Sequence, residues 1–227
     1  MNISPLPIKL VRQQPKTSDC LRCCALMVFN FYADPITKEQ VWHKLHVYKK
    51  HSGLSGGYVQ DLGKLALSKG YQALIYHNDW QWWPKETGEA VKKSKSSLLT
   101  NLKVLLKKKK KWQDKKIVRK EIGFLKKGGK FFFELPKTAT IDNCLLKKIP
   151  VIILVRGEEL YQDPESDYSH AMVVVGKKDN NYLIKDPRWA LEEIETDHLQ
   201  YAWARQGGWL LAIYPNKKSE DQLPLFK

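Results

Sequence analysis

The chain has 227 residues, of which 43% are apolar and 28% are charged. These proportions are ordinary for a globular protein and exclude a wholly disordered or fibrous chain. Apolar runs such as those near 151–155 and 171–176 are far shorter than the roughly 20 residues that a membrane-spanning helix needs. Residues 1–14 hold no continuous apolar stretch of the kind found in secretory signals. The sequence therefore predicts a cytoplasmic protein without a transmembrane segment.

The net charge of +15 is concentrated in one segment. Sixteen basic and two acidic residues lie between Lys92 and Lys130, while the rest of the chain is almost neutral. A uniformly basic nucleic-acid-binding protein would not show this distribution. We interpret residues 1–227 as a single domain that carries a Lys-rich insertion at about 77–137 and ends in a loose polar tail at about 215–227.

Apolar periodicity and turn residues predict helices first and strands last. Helices are expected over 20–32, 37–45 and 58–69, followed by a strand over 71–76. The basic segment predicts helices over 97–111 and 114–127 and a strand over 131–134. Further on we expect a helix over 141–148, a strand over 151–155, a polar loop over 158–169, a hairpin of 170–176 with 182–186, and a strand over 209–214. This order predicts an α+β fold in which an N-terminal helix packs on an antiparallel sheet.

Three of the four cysteines, Cys20, Cys23 and Cys24, lie within five residues. Such spacing does not suit a disulfide framework. A nucleophilic cysteine reacts as the thiolate, which the free N–H groups and dipole of a helix N-terminus favour. Cys20 directly follows the capping residues Ser18 and Asp19, so it is predicted in the first helical turn. By position, Cys20 is therefore the candidate nucleophile.

The candidate base is His170, which opens an apolar strand, and Asp186 closes the partner strand. If the hairpin loop is 177–181, Gly176 pairs with Tyr182 and Asp186 lies one diagonal step from His170, on the same face. An acid so placed could hold the imidazole while it serves the thiol.

Two sequence blocks carry a family resemblance. The first is Gln14-Pro-Lys-Thr-Ser-Asp-Cys20, and the second is Ser169-His170-Ala-Met-Val-Val-Val-Gly176 followed by Ile184-Lys-Asp186-Pro187. Weaker likenesses lie over 53–73 and 145–155. Together they resemble the C39-like cysteine peptidases of the papain-like clan, a family that includes the domains cleaving double-glycine leader peptides. The resemblance covers about 10–76 and 138–214.

The resemblance implies a papain-like fold that acts as a cysteine peptidase or amide hydrolase on a peptide or protein substrate, without a cofactor or metal. It implies Cys20 as nucleophile, His170 as general base and acid, Asp186 as the group that orients the ring, and Gln14 in the oxyanion hole. The family usually has Gly, often Gly-Pro, after its cysteine, whereas this sequence has Leu21-Arg22-Cys23.

Three alternatives stay open. Cys20 and Cys23 with His43 and His46 have the ligand types of a zinc site, although the two cysteines fall on a predicted helix rather than a knuckle. The lysines at 107–111 with Trp112, and the tryptophans Trp80, Trp82 and Trp83, could instead bind nucleic acid, an acidic partner or an anionic membrane in a catalytically inactive module. Alternatively, the same thioester chemistry could transfer an acyl group to an amine.

Overall fold

The structure is a computed structural model that describes residues 1–34, 36–49, 55–78, 95–133 and 137–216. The aromatic group Trp80, Trp82 and Trp83 and the end of the predicted tail, 217–227, lie outside the described residues.

The N-terminal part is helical, as predicted. It contains α1 (Cys20–Phe31), α2 (Lys38–Lys44) and α3 (Val59–Ser68), with the short paired strands β1 (Tyr48–Lys49) and β2 (Ser55–Gly56) between α2 and α3. Helix α2 begins with the capping box expected at Thr37 and Gln40, in which each residue bonds to the backbone N–H of the other. Helix α3 ends before Gly70, whose φ of +87° suits only glycine.

The C-terminal part builds a seven-stranded sheet. In chain order its strands are β3 (Tyr71–His77), β4 (Lys130–Phe133), β5 (Val151–Arg156), β6 (Ser169–Lys178), β7 (Asn181–Lys185), β8 (Glu193–Glu195) and β9 (Leu210–Pro215). They lie side by side in the order β4-β3-β9-β5-β6-β7-β8. The α+β class is confirmed.

One strand pair departs from the predicted antiparallel sheet. Strand β4 pairs with β3 in parallel, while every other neighbouring pair of the seven strands is antiparallel. A parallel neighbour needs a long crossover connection. The basic segment supplies it, because 78–129 connects β3 to β4.

The basic segment forms α4 (Lys95–Lys108) and α5 (Trp112–Lys126), close to the predicted bounds. The two helices pack on each other, and α5 also packs on α3. Six of their apolar side chains are buried, namely Leu98, Leu102, Leu105, Val118, Phe124 and Leu125. Many of their lysines point outward, so these helices combine a core-facing side with a strongly basic outer side.

The remaining helices are α6 (Thr138–Leu146), α7 (Gly157–Tyr161) and α8 (Thr196–Arg205). Helix α7 and the 3-10 turn Pro164–Ser166 stand where a polar loop was predicted, so that prediction is wrong. A five-residue helix has too little length to show a period or to be stable alone. It is held instead by packing on α8 and β5.

The core lies between the N-terminal helices and the sheet. Cys24 and Val28 of α1 and Met172 and Val174 of β6 are fully buried, and α1 packs directly on β6. No helix within the described ranges is both long and apolar enough to cross a membrane.

Candidate active site

Cys20 is the first residue of α1 and is only partly buried. Asp19 precedes it as the N-cap residue, so the predicted first-turn position is correct. The Asp19 side chain makes no capping bond, however, and its Oδ1 instead accepts from Arg22 Nη1 at 2.8 Å. The backbone N–H of Leu21, in the first turn of the helix, acts on the Cys20 sulfur and lowers its pKa.

The β6–β7 hairpin reaches the predicted arrangement by a different route. The strands close at Lys178↔Asn181 around a two-residue turn, not around the predicted five-residue loop. With that turn alone, the period of two would place the side chains of His170 and Asp186 on opposite faces. A bulge at Val175 adds one residue to β6 and shifts the register, so both side chains lie on the same face.

The structure brings His170 and Asp186 into direct contact. His170 Nε2 lies 2.7 Å from Asp186 Oδ1, and both side chains are almost completely buried. Asp186 Oδ1 also accepts from the backbone N–H of Arg188 at 2.8 Å, and Oδ2 accepts from the Tyr161 hydroxyl at 2.9 Å. With Nε2 directed at Asp186, Nδ1 is the ring nitrogen left for the Cys20 sulfur.

The electrostatics of Cys20 and His170 are mutually dependent. Burial alone would raise the pKa of the Cys20 thiol, but its hydrogen bond with His170 and the charge of that ring outweigh burial and lower the pKa. Backbone groups of Ala171 and Leu21 act in the same direction. Burial likewise disfavours the imidazolium, yet hydrogen bonds with Asp186 and Cys20 raise the pKa of His170 to about 9. Each group therefore stabilises the charged form of the other.

The other three cysteines have the opposite character. Cys23, Cys24 and Cys144 are buried. Burial raises the pKa of Cys23 and of Cys144 to about 12 and that of Cys24 well above its ordinary value. Because a raised pKa disfavours the thiolate, these three thiols are weaker candidates for the nucleophile than Cys20.

Gln14 is exposed and stands in the turn before α1. Its backbone oxygen accepts from the hydroxyl of Thr17 at 2.7 Å. Among the hydrogen bonds of the described residues, none joins the Gln14 side chain to Cys20. The backbone N–H of Gln13 donates to the oxygen of Pro187 at 2.9 Å, which connects this segment to the turn after Asp186.

Leu21 and Arg22, the two residues that follow Cys20, make their contacts with other parts of the protein. Leu21 is buried, and a Cβ built on Gly57 would lie 3.0 Å from its Cδ2. The Arg22 guanidinium donates to the backbone oxygens of Leu45 and Trp42, at 2.7 and 3.1 Å, besides its ion pair with Asp19. Arg22 is thus held by the protein itself.

Sequence reasoning missed the aromatic residues around His170. Tyr161, in the unpredicted helix α7, lies with its ring 6.0 Å from that of His170, and Tyr168 lies 6.3 Å away on an edge-to-face contact. Trp189 contacts Tyr161 edge-on and is 61% exposed. The only local signal was the density of tyrosine and acidic residues in 158–169, which also suits an ordinary polar loop.

The zinc alternative finds no matching geometry. Cys23 is buried in the core, and the described residues contain no group of three or more His, Cys, Asp or Glu side chains that could hold a metal ion.

Comparisons with known proteins agree with the fold. No protein-family model matches the sequence, and no curated protein matches it significantly. Among solved structures, a protein from Bacillus anthracis named as a C39-like peptidase superposes with a TM-score of 0.55 at 12% identity, covering 96% of this chain and 100% of its own.

Two further structures have a TM-score of 0.49. One is a double glycine motif protease from an AMS/PCAT transporter in complex with the leader peptide, at 15% identity over 95% of this chain and 99% of that one. The other is the peptidase domain of Streptococcus ComA, at 14% identity over 92% of this chain and 99% of that one. The chain thus has the fold of C39-like peptidase structures, as the sequence resemblance predicted.

Proposed function

We propose that this protein is a cysteine peptidase or amide hydrolase that uses Cys20, His170 and Asp186. The observation that carries the proposal is the buried His170–Asp186 pair, joined at 2.7 Å, beside a partly buried thiol at a helix N-terminus whose pKa His170 lowers. This is the order of groups that nucleophilic acyl transfer needs. The fold shared with the B. anthracis structure supports the same reading.

In the proposed reaction the Cys20 thiolate attacks the carbonyl carbon of a peptide bond. The carbonyl π electrons move to oxygen, and the resulting oxyanion accepts hydrogen bonds from the Cys20 backbone N–H and from the Gln14 side chain. Collapse of this intermediate breaks the C–N bond, and the His170 imidazolium donates its proton to the leaving amine. A thioester between Cys20 and the acyl group remains.

Water completes the cycle. Neutral His170 takes a proton from water, which attacks the thioester and releases a carboxylic acid and the thiolate. Asp186 holds the ring throughout and stabilises its positive charge without becoming protonated. The acyl-transfer alternative differs only in this last step, in which an amine would replace water.

The first test is the reactivity of the four thiols toward iodoacetamide, resolved by peptide mass spectrometry from pH 5 to 9. At pH 6 Cys20 should react at least about 10-fold faster than Cys23, Cys24 or Cys144, because only its thiolate is stabilised. His170→Ala should remove that advantage, and Asp186→Asn should reduce it less than His170→Ala. Cys23→Ala is the matched control and should leave Cys20 reactivity intact.

The amount of the Cys20–His170 ion pair should depend on pH in a defined way. Because the pKa of Cys20 is lowered and that of His170 is raised to about 9, the ion pair is populated between these two values. Above about pH 9 the thiolate persists but the imidazolium loses its proton. Equal, slow alkylation of all four thiols with ordinary pH dependence would overturn the proposal and favour a catalytically inactive binding module.

A further inference from the structure

Helix α5 places two lysines against a pair of tyrosines beside the N-terminal helices. Lys116 Nζ lies 3.3 Å above the ring centroid of Tyr48, and Lys120 Nζ lies 4.8 Å from the same centroid. Both ammonium groups also lie within 6 Å of the ring of Tyr58. We call Tyr48, Tyr58, Lys116 and Lys120 the tyrosine–lysine cluster.

The positive charge of this cluster is only partly compensated. Asp61 forms ion pairs with both Lys64 and Lys120. Lys116 has no carboxylate partner among the ion pairs of the described residues. Burial and the neighbouring Lys120 lower the pKa of Lys116. The cluster therefore presents a cation that an incoming anion would stabilise.

The cluster is connected to the candidate nucleophile through very few residues. Tyr58 directly follows Gly57, and Gly57 packs closely against the buried side chain of Leu21. Leu21 directly follows Cys20. Each residue of an extended peptide spans roughly 3.3–3.6 Å, so a substrate bound across Cys20 reaches neighbouring surfaces within a few residues.

We infer that the tyrosine–lysine cluster is a subsite for an acidic side chain of the peptide substrate, an inference that rests on the function proposed above. A carboxylate would pair with the Lys116 ammonium, which lies above the Tyr48 ring. The segment that resembles no part of the family would in this way contribute to substrate selection. Arg22 does not serve this role, because it is already bonded to Asp19 and two backbone oxygens.

The contacts favour a peptide over a single-stranded nucleic acid. Nucleic-acid platforms present open aromatic faces on which bases stack. In this cluster the Tyr48 ring is covered by Lys116 and packs at 5.0 Å against Tyr58. Lys116 Nζ also lies 4.8 Å from the ring centroid of the exposed Trp112. What the cluster offers is therefore a positive charge that lacks a full carboxylate partner, rather than free ring faces.

The test uses two active-site reagents that differ only in charge: acetyl-Glu-Glu-Gly chloromethyl ketone and acetyl-Gln-Gln-Gly chloromethyl ketone. In each case the Cys20 thiolate displaces chloride and forms a thioether. The Glu reagent should alkylate Cys20 about 2- to 5-fold faster than the Gln reagent at low salt, the range expected for a partly exposed ion pair. The ratio should fall toward one as salt is added.

Lys116→Gln should bring this ratio close to one, and Lys116→Arg should preserve it. The control is Lys126→Gln, which removes an exposed lysine of the same helix about 15 Å further along its axis and should leave the ratio unchanged. Because the ratio compares two reagents on one protein, a general change in thiol reactivity cancels.

The outcomes separate the two proposals. Selective labelling of Cys20 by both reagents at equal rates would overturn the acidic subsite and leave the proposed function standing. No preference for Cys20 over Cys23 would overturn the proposed function and the subsite with it. If a twelve-residue oligothymidylate slows Cys20 labelling in the wild type but not in Lys116→Gln, and the reagent ratio is one, the cluster binds nucleic acid instead.

Discussion

At the residue scale, the Asp186 carboxylate has a donor for each oxygen. Oδ1 accepts from His170 and from the backbone of Arg188, and Oδ2 accepts from Tyr161. Burial alone would raise the pKa of Asp186, but these hydrogen bonds, first that with His170, hold it below its ordinary value. The carboxylate thus stays ionised and fixed in direction, which is what an orienting group requires.

Tyr161→Phe should weaken both the fold and the site. It removes the donor to a buried charged oxygen while keeping the ring that packs near His170 and Trp189. We expect a loss of about 1–3 kcal/mol in the free energy of unfolding by urea. Cys20 alkylation at pH 6 should also slow, because the Asp186 carboxylate can then rotate away from His170.

Tyr168→Phe is the control for this change. Tyr168 also packs near His170, but its hydroxyl only reaches Ser166 Oγ at 3.4 Å. Tyr168→Phe should lower the free energy of unfolding by less than about 1 kcal/mol, since that hydrogen bond is long. Equal effects of the two substitutions would show that the hydroxyl of Tyr161 does not position Asp186.

At the element scale, the hairpin shows how far the sequence could be interpreted. The polar and apolar pattern was enough to pair β6 with β7. His170 and Asp186 do lie on one face, but the prediction reached this from a five-residue loop that the structure replaces with a two-residue turn and a bulge. The turn length and the bulge at Val175 could not be predicted separately, because they compensate in the register. The N-terminal segment lies close against the strand at this point, since a Cβ on Gly176 would come within 2.8 Å of Pro5 Cα.

Other elements also depend on contacts between residues far apart in the sequence, and local patterns did not predict them. Helix α7 and Tyr161 were missed because tertiary packing, not periodicity, holds so short a helix. The parallel β3–β4 pair was missed because strand direction depends on where a long connection returns. By contrast α1, with its strong apolar face and clear N-terminal signal, was predicted within one residue at its end, and so was the position of Cys20.

Two helix-interior glycines should respond oppositely to alanine. Gly123 in α5 has only the flexible Lys64 side chain nearby, at 3.8 Å from a built Cβ. Gly123→Ala should therefore stabilise the protein by about 0.5–1 kcal/mol. Gly63 in α3 faces the Phe124 ring, with Cε2 only 2.5 Å from a built Cβ. Gly63→Ala should destabilise by about 1–3 kcal/mol.

Urea unfolding of both variants measures these changes, with Cys20 alkylation as a check on the site. Stabilisation by Gly63→Ala would mean that α3 and α5 are not packed as closely as the structure describes.

At the scale of the whole molecule, a buried glutamic acid, Glu121, connects the basic segment to the rest of the domain, and burial destabilises its charged form. Glu121 of α5 is completely buried and bonds to the Gln60 side chain of α3, while its Oε2 is buried without a partner among the described residues. Burial raises the pKa of Glu121 to about 8, which the hydrogen bond with Gln60 only partly opposes. The folded protein therefore prefers the protonated acid.

This pKa makes stability depend on pH. Because the pKa is about 8 in the folded state and about 4.3 in an unfolded chain, stability should decline as pH rises from about 4 to 8, and the loss is complete above 8. Glu121→Gln should remove this decline and stabilise the protein at pH 8 by on the order of 2–5 kcal/mol. The gain should vanish near pH 4.

Asp114→Asn is the matched control, because Asp114 is a partly exposed acid of the same helix that lies 3.9 Å from Lys109. Its substitution should change stability by less than about 1 kcal/mol at either pH. A parallel pH profile for wild type and Glu121→Gln would show that Glu121 is not buried as a neutral acid.

The candidate site is divided between two layers of the fold: Cys20 belongs to α1, and His170 belongs to β6. The reactivity of Cys20 therefore depends on the distance between the helix and the sheet. A shift of about 1 Å between catalytic groups is enough to reduce rates strongly. In mild denaturant or acid, proteins often loosen their packing while keeping their secondary structure. Cys20 would then return to an ordinary thiol while circular dichroism still registered intact helices and strands. The rate of Cys20 alkylation can thus be used to measure whether the native packing of α1 on β6 is intact.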